Sequence, residues 1–281
     1  MSRNQDRLGG VQQRDANPPA PAMGEGGFSF VVPTEFVELP SEGQYYPEGH
    51  PLCGETSIEI KQMTAKEEDM LTSKTLIKKG VAIDRVIGSL IINKAIDPDS
   101  LLVGDRNAII VATRVSAYGS EYTTKVGCPS CGASQDYSFD LNSAKVYHGE
   151  DSDTVGVTDN GNGTFDVELP RTKAVVTFKT LTGRDEKVFF SGTEHDKRQK
   201  VDRMITRQLS SMILAVNGDS SAEATNYMVN NIPSADSRHL RLAYRLTSPN
   251  IDLTQHFECD ECSHEQDMEV PLNADFFWPD R

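Results

Sequence analysis

Two cysteine pairs of identical spacing, Cys128-Pro129-Ser130-Cys131 and Cys259-Asp260-Glu261-Cys262, carry the residue types and spacing in this chain that could do chemistry. A two-residue spacer lets both sulfurs of a pair face one ion, and four thiolates complete a closed tetrahedral site for structural zinc. Each pair lies between runs in which polar and apolar residues alternate with the period of a half-buried strand: 121–126 and 135–141 around the first, 252–257 and 266–272 around the second. The pattern reads as a zinc ribbon split by the insertion of residues 132–258. Closing a flexible loop of that length costs roughly 4–5 kcal/mol. Structural zinc in small fingers contributes about 10–16 kcal/mol, so the metal is expected to clamp the ends of the insertion.

Other uses of the thiols fit less well. Two disulfides would need an oxidising compartment, and the polar N-terminus does not resemble a signal peptide. A thioredoxin-type redox pair would open a helix, whereas strand-like sequence follows each pair here. Unconnected thiols would leave the matched spacing and flanks unexplained. Catalytic zinc is disfavoured because a four-Cys site keeps no position for water. His256 and His264 flank the second pair and read as solvent-facing, and Cys53 reads as a lone free thiol. There is no Gly-x-Ser-x-Gly, phosphate-binding glycine loop or His-Glu-x-x-His, so no catalytic and no organic cofactor-binding residue is assigned.

The elements that position the cysteines follow from the pattern around them. The fold class is read as α+β, helical segments with short antiparallel strands and the split four-Cys zinc ribbon. Residues 1–28, rich in Gly, Pro and polar residues, form a disordered arm. An extended, turn-rich segment followed by a helical unit occupies 29–120. The ribbon takes 121–141 and 250–281, and the insertion 142–249 is a β-hairpin followed by helices. Thr64-Ala-Lys-Glu67 is a capping box, opening a helix expected to run to about 79; further helices are expected over 83–92 and 105–118, the last closed by Gly119. The hairpin strands fall at 164–169 and 174–181. Helices follow near 184–190, 196–216, 222–230 and 236–246, separated by Gly192, Asn217-Gly218 and Pro233. Arg238, Arg241 and Arg245 share one face of the last; a solvated face is the default, docking on an acidic partner the functional alternative.

Forty-two acids against 28 Lys and Arg give a net charge of −14, which opposes phosphate backbones, and the second cysteine pair carries five acids and no base over 259–269. Nucleic acid is therefore disfavoured as a partner. No apolar run approaches the roughly 20 residues that span a bilayer.

Longer motifs resemble the T4-type bacteriophage baseplate hub protein family: Leu39-Pro-Ser-Glu-Gly-Gln-Tyr-Tyr-Pro47, Ile58 to Leu71, Leu76-Ile-Lys-Lys-Gly80, Leu102-Val-Gly-Asp-Arg-Asn-Ala108, Tyr118-Gly-Ser-Glu-Tyr122, Leu181-Thr-Gly-Arg-Asp-Glu186 and Asp275-Phe-Phe-Trp-Pro279. The resemblance covers about residue 30 to the end. It implies a non-enzymatic tail protein of a contractile-tailed phage, a component or assembly factor of the central hub of the baseplate, found in the virion or in the host cytoplasm during assembly. Its partners would be other tail and baseplate proteins, with no membrane. The alternative is a zinc-ribbon nucleic-acid-binding adaptor. Phe276, Phe277 and Trp278 are the candidate partner-binding residues, because aromatics dominate interface energy; packing onto the ribbon as core is the competing role. The metal ligands are Cys128, Cys131, Cys259 and Cys262, read from their spacing and not from the family.

Overall fold

Strand β1 (Thr34–Glu38) pairs antiparallel with β2 (Ser57–Lys61), with Val37 opposite Ile58. The computed structural model describes residues 31–78, 80–149, 152–199, 203–271 and 274–277, so the arm expected over 1–28 and the anchor expected at Trp278 lie outside the described residues. Thr34–Arg281 form one compact unit. Among the described residues are eight α-helices and twelve short strands, all paired antiparallel.

After β2 come α1 (Ala65–Thr72), α2 (Lys74–Lys78), α3 (Ala82–Leu90) and α4 (Val103–Tyr118). The helix expected from the capping box to about 79 is two: Ser73 turns extended, and its carbonyl accepts from the Ile77 amide as the next helix starts. Ser73 Oγ also accepts from the Leu76 amide at 3.5 Å, the local side-chain bond by which serine favours helix starts over interiors. The box itself is a buried node. Glu67 accepts from the Thr64 amide at 3.0 Å, Thr64 Oγ1 at 2.6 Å, Lys61 Nζ at 2.8 Å and, from α3, Ser89 Oγ at 2.6 Å. Burial alone would raise this carboxyl, but the Lys61, Ser89 and Thr64 donors outweigh it and bring it down to about 2.

A depressed carboxylate stabilises the fold above its unfolded pKa and loses that contribution as pH falls through the folded one. Glu67→Gln is accordingly expected to lower stability by up to about 3 kcal/mol at neutral pH, with the gap to the wild type closing as pH drops from about 4.5 to about 2. Urea unfolding across that range measures it; a gap constant with pH would contradict the assignment.

Beyond α4 the chain enters hairpin β3 (Glu121–Gly127) and β4 (Ser134–Asp140), then β5 (Lys145–Tyr147). Strands β6 (Val157–Asp159), β7 (Thr164–Glu168) and β8 (Val175–Lys179) follow, then α5 (Gly183–Gln199), α6 (Met204–Met212) and β9 (Ile213–Val216). The sheet order is β6-β7-β8-β9. Helices α7 (Ala222–Asn231) and α8 (Ser234–Thr247) lead to β10 (Asn250–Asp252), and β11 (Thr254–Glu258) pairs with β12 (Glu265–Glu269) before a short turn at Ala274–Phe277.

Two expectations for this stretch are corrected. The helix placed over 196–216 is divided: 196–199 end α5, α6 runs Met204–Met212, and Ile213–Val216 is a strand on β8, because its apolar side chains complete the sheet and Asn217-Gly218, both at positive φ, turn the chain. Gly192 does not break α5: a Cβ there would sit 2.1 Å from an Arg207 nitrogen, so the glycine makes room for the guanidinium of Arg207 on α6, which pairs with Asp196 of α5.

Two apolar cores result. One joins Val37, Leu39, Ile60, Leu90 and Ile109 to Tyr122, Phe139 and Phe257 of the ribbon strands. The other lies between the four-stranded sheet and α6 to α8, with Phe165, Phe178, Met212 and Leu240 fully enclosed. Asp236 of α8 fixes the β7–β8 turn to this core by accepting from the Arg171 and Thr172 amides at 2.8 and 2.9 Å.

Candidate metal centre

The loops β3–β4 and β11–β12 are built alike. In the first, the Cys128 amide donates to Ala133 O and the Gly132 amide to Cys128 O; in the second, Cys259 donates to His264 O and Ser263 to Cys259 O. The residue after each second cysteine is left-handed, Gly132 at φ 76° and Ser263 at φ 52°. Glycine takes that conformation freely and serine under strain. The effect is to fold each Cys-x-x-Cys into a knuckle with both sulfurs on one side.

The knuckles face each other. Cys128 Sγ lies 3.7 Å from Cys262 Sγ, and Cys131 Sγ lies 3.8 Å from Cys259 Sγ. All four sulfurs fall within 4.8 Å of one another. A tetrahedron with metal–sulfur bonds of about 2.3 Å has edges of about 3.8 Å, whereas a disulfide bond is about 2 Å long. The thiols are free, the first of each pair buried and the second exposed. All four sequence-predicted ligands are thus brought to one point, while His256 and His264 are outside the cluster. His256 instead lies at the surface, 3.6 Å from Asp267.

Electrostatics favour a cation here. The Cys131 amide, acting against burial and helped by the Ser130 amide, draws Cys128 down to about 6. The His264 amide acts on Cys262 in the same direction, but desolvation and the three neighbouring sulfurs outweigh it and push that thiol up to about 12. One thiolate forms readily and the fourth does not; a divalent ion at the centre would remove that conflict.

Several positioning residues carry no sequence signal of their own. Gln135 on β4 bridges to the other hairpin, donating to Glu258 O at 3.0 Å and accepting from the Asp260 amide at 2.9 Å. Gln255 on β11 returns the arrangement, accepting from the Asp140 amide at 3.1 Å and donating to Asp140 O at 3.0 Å. Tyr137 packs on Phe139 and Phe257 and donates to His256 O. Beneath them Arg114 of α4, 1% exposed, donates to Phe276 O at 2.7 Å, Gly119 O at 2.7 Å and Glu121 O at 3.1 Å. It joins the end of α4, the start of β3 and the C-terminal turn.

Phe276 and Phe277 were candidates for partner binding on their aromatic character. They are 3% and 4% exposed, and Phe276 packs edge-on against Tyr122 at 5.1 Å. That placement makes them core: the ribbon face and α4 supply the apolar cover that a partner would have supplied.

The insertion is not closed by the knuckles alone. Strands β5 and β10 pair as a stem, Tyr147 opposite Asn250 and Lys145 opposite Asp252. Tyr147 Oη donates to Leu246 O at 2.7 Å, and Asn107 of α4 donates to Asn250 Oδ1 at 3.1 Å. The expectation that metal clamps the insertion is therefore revised: the chain is already gathered before it reaches the cysteines.

Fold and site together define a mixed α/β protein in which two distant hairpins, β3–β4 and β11–β12, bring four thiols together. Residues 32–278 match the family described as T4 bacteriophage base plate protein, and the chain belongs to that family. It is a phage tail protein of the baseplate, and its neighbours there are other baseplate proteins. Searches of curated proteins and of solved structures give no match. Among the described residues no helix is long and apolar enough to cross a membrane.

Proposed function

We propose that this protein acts without catalysis in forming the central hub of the baseplate, as a hub component or an assembly factor, and that zinc held by Cys128, Cys131, Cys259 and Cys262 stabilises its ribbon. The observation that carries the metal reading is the sulfur cluster, whose cross-knuckle spacings of 3.7 and 3.8 Å suit zinc–thiolate bonds. Support for the hub reading comes from the family match, which runs from the residues before β1 to the C-terminal turn. The non-enzymatic reading is supported by how the buried carboxylates are used. Glu67 holds a helix cap and Asp236 a β-turn. Asp105 accepts from the Ser41 amide at 3.0 Å, Ser41 Oγ at 2.6 Å and Tyr46 Oη at 2.8 Å. Each of the three is engaged by donors of the fold itself, a structural use of the carboxylate.

Phage lacking this protein are expected to make no complete baseplates in the host cytoplasm, and the wild-type gene, but not a Cys128→Ser, Cys259→Ser double variant, should restore them. Protein composition of purified particles separates the two roles: a hub component stays, an assembly factor leaves. Normal infectious tails without the protein would refute the proposal.

A further inference from the structure

The three arginines on one face of α8 line an open cleft of about 900 Å³ between that helix and the β10–β11 segment. Gln208 of α6, Tyr147 of the stem and two acids, Asp252 and Glu269, are among its other polar lining residues, and Leu242, Leu246 and Ile251, all half-buried, give it apolar patches. This volume is at the upper end of what small-ligand sites occupy and admits several residues of an extended chain.

Elsewhere in the protein three partly buried cations meet carboxylates at short range: Arg106 with Asp84 at 2.6 Å, Lys179 with Asp185 at 2.8 Å, Arg207 with Asp196 through two bonds. The α8 arginines do not. Arg238 and Arg245 are exposed, Arg241 makes a long 3.4 Å bond to Ser237 O, and among the described residues no carboxylate pairs with any of the three. In a chain with 42 acids and 28 Lys and Arg, these three guanidinium groups stand in one row along α8 with no carboxylate partner among the described residues.

We propose that this cleft is a docking site for an acidic segment of a partner polypeptide. Guanidinium groups bind carboxylates through paired hydrogen bonds. Along α8 the arginines are separated by about 4.5 and 6 Å; alternate residues of an extended chain are about 6.7 Å apart, so successive outward carboxylates of such a segment come within reach of the row. Phosphate backbones fit less well. Asp252 and Glu269 stand in the same cleft, and exposed Asp260, Glu261, Glu265 and Asp267 occupy the second knuckle and β12. A polyanion carrying one charge per about 1.7 Å would meet those acids wherever it ran on, whereas a polypeptide can place its carboxylates on α8 and other residues elsewhere. The assignment does not rest on zinc or on a hub role.

Fluorescence anisotropy on the full chain tests it, with labelled short peptides alternating Glu and Thr or Gln and Thr, and a single-stranded oligonucleotide of matched charge. The Glu peptide is expected to bind at least about tenfold more tightly than the Gln peptide, and Arg238→Ala, Arg241→Ala, Arg245→Ala together should remove about that factor with thermal unfolding unchanged. Should the triple variant not fold, Arg245→Glu, at an exposed site, gives the same comparison. Equal binding of the two peptides, or an unaffected variant, overturns the proposal. Tighter, arginine-dependent binding of the oligonucleotide would replace it with a nucleic-acid site. Self-association lost in the triple variant would replace the partner with a second copy of this chain.

Discussion

Protein purified without chelator is expected to carry one zinc per chain and to show one fast-reacting thiol, Cys53, which is exposed and outside the cluster. After strong chelation all five cysteines should react. With free zinc at a thousand times its dissociation constant, linkage stabilises the folded state by about 4 kcal/mol, so the stripped protein should unfold at markedly lower denaturant. The loss should also be local. The β5–β10 stem, the Tyr147 and Asn107 bonds and an apolar core of its own hold the insertion together independently of the sulfurs. Hydrogen exchange on stripped protein, or on Cys259→Ser, is therefore expected to show β3–β4 and β11–β12 losing protection while β7 and β8 retain theirs. Less than about half an equivalent of zinc together with five fast thiols would end the metal assignment. Loss of protection throughout the insertion would instead show that the metal, not the stem, closes it.

What could be read from sequence was what is local or repeated. The knuckles are legible because spacing, strand alternation and turn all lie within about twenty residues and occur twice. The Thr64 cap, α4 and the β7–β8 hairpin are legible for the same reason. The stem was not: each of its strands has three residues, too few for a period, and they pair across about a hundred positions. Strand β9 was read as helix because Ile213-Leu-Ala-Val216 continues an apolar run, and only its place beside β8 decides between the two. The long motifs that carried the family resemblance turn out to meet in space. Ser41 and Tyr46 of the first bond Asp105 of another, and Tyr46 Oη also accepts from the Leu102 amide at 3.1 Å. Sequence shows such residues as motifs without revealing that they form one buried polar node.

Arg114 was the least visible of these residues and is predicted to be among the most costly to lose. In sequence it is one base within a helix, three positions after buried Val111. In the structure its guanidinium is enclosed and satisfied by three backbone carbonyls. Burial alone lowers its pKa, though an arginine stays charged over any working pH. Arg114→Met keeps much of the apolar stem but leaves Phe276 O, Gly119 O and Glu121 O without these donors, at about 1–3 kcal/mol for each that water cannot reach. With two or three of them so deprived, a total of about 3–5 kcal/mol is expected, a large part of the 5–15 kcal/mol that holds a typical domain folded. Arg114→Lys should recover only part of it, since a compact ammonium cannot span three acceptors as the planar fork does. Urea unfolding gives the magnitude. Hydrogen exchange gives the place: the Ala274–Phe277 turn and the first residues of β3 should open before the four-stranded sheet does. A loss below about 1 kcal/mol for Arg114→Met would show that water or backbone movement satisfies the three carbonyls, and that the C-terminal turn is held by the packing of Phe276 and Phe277 instead.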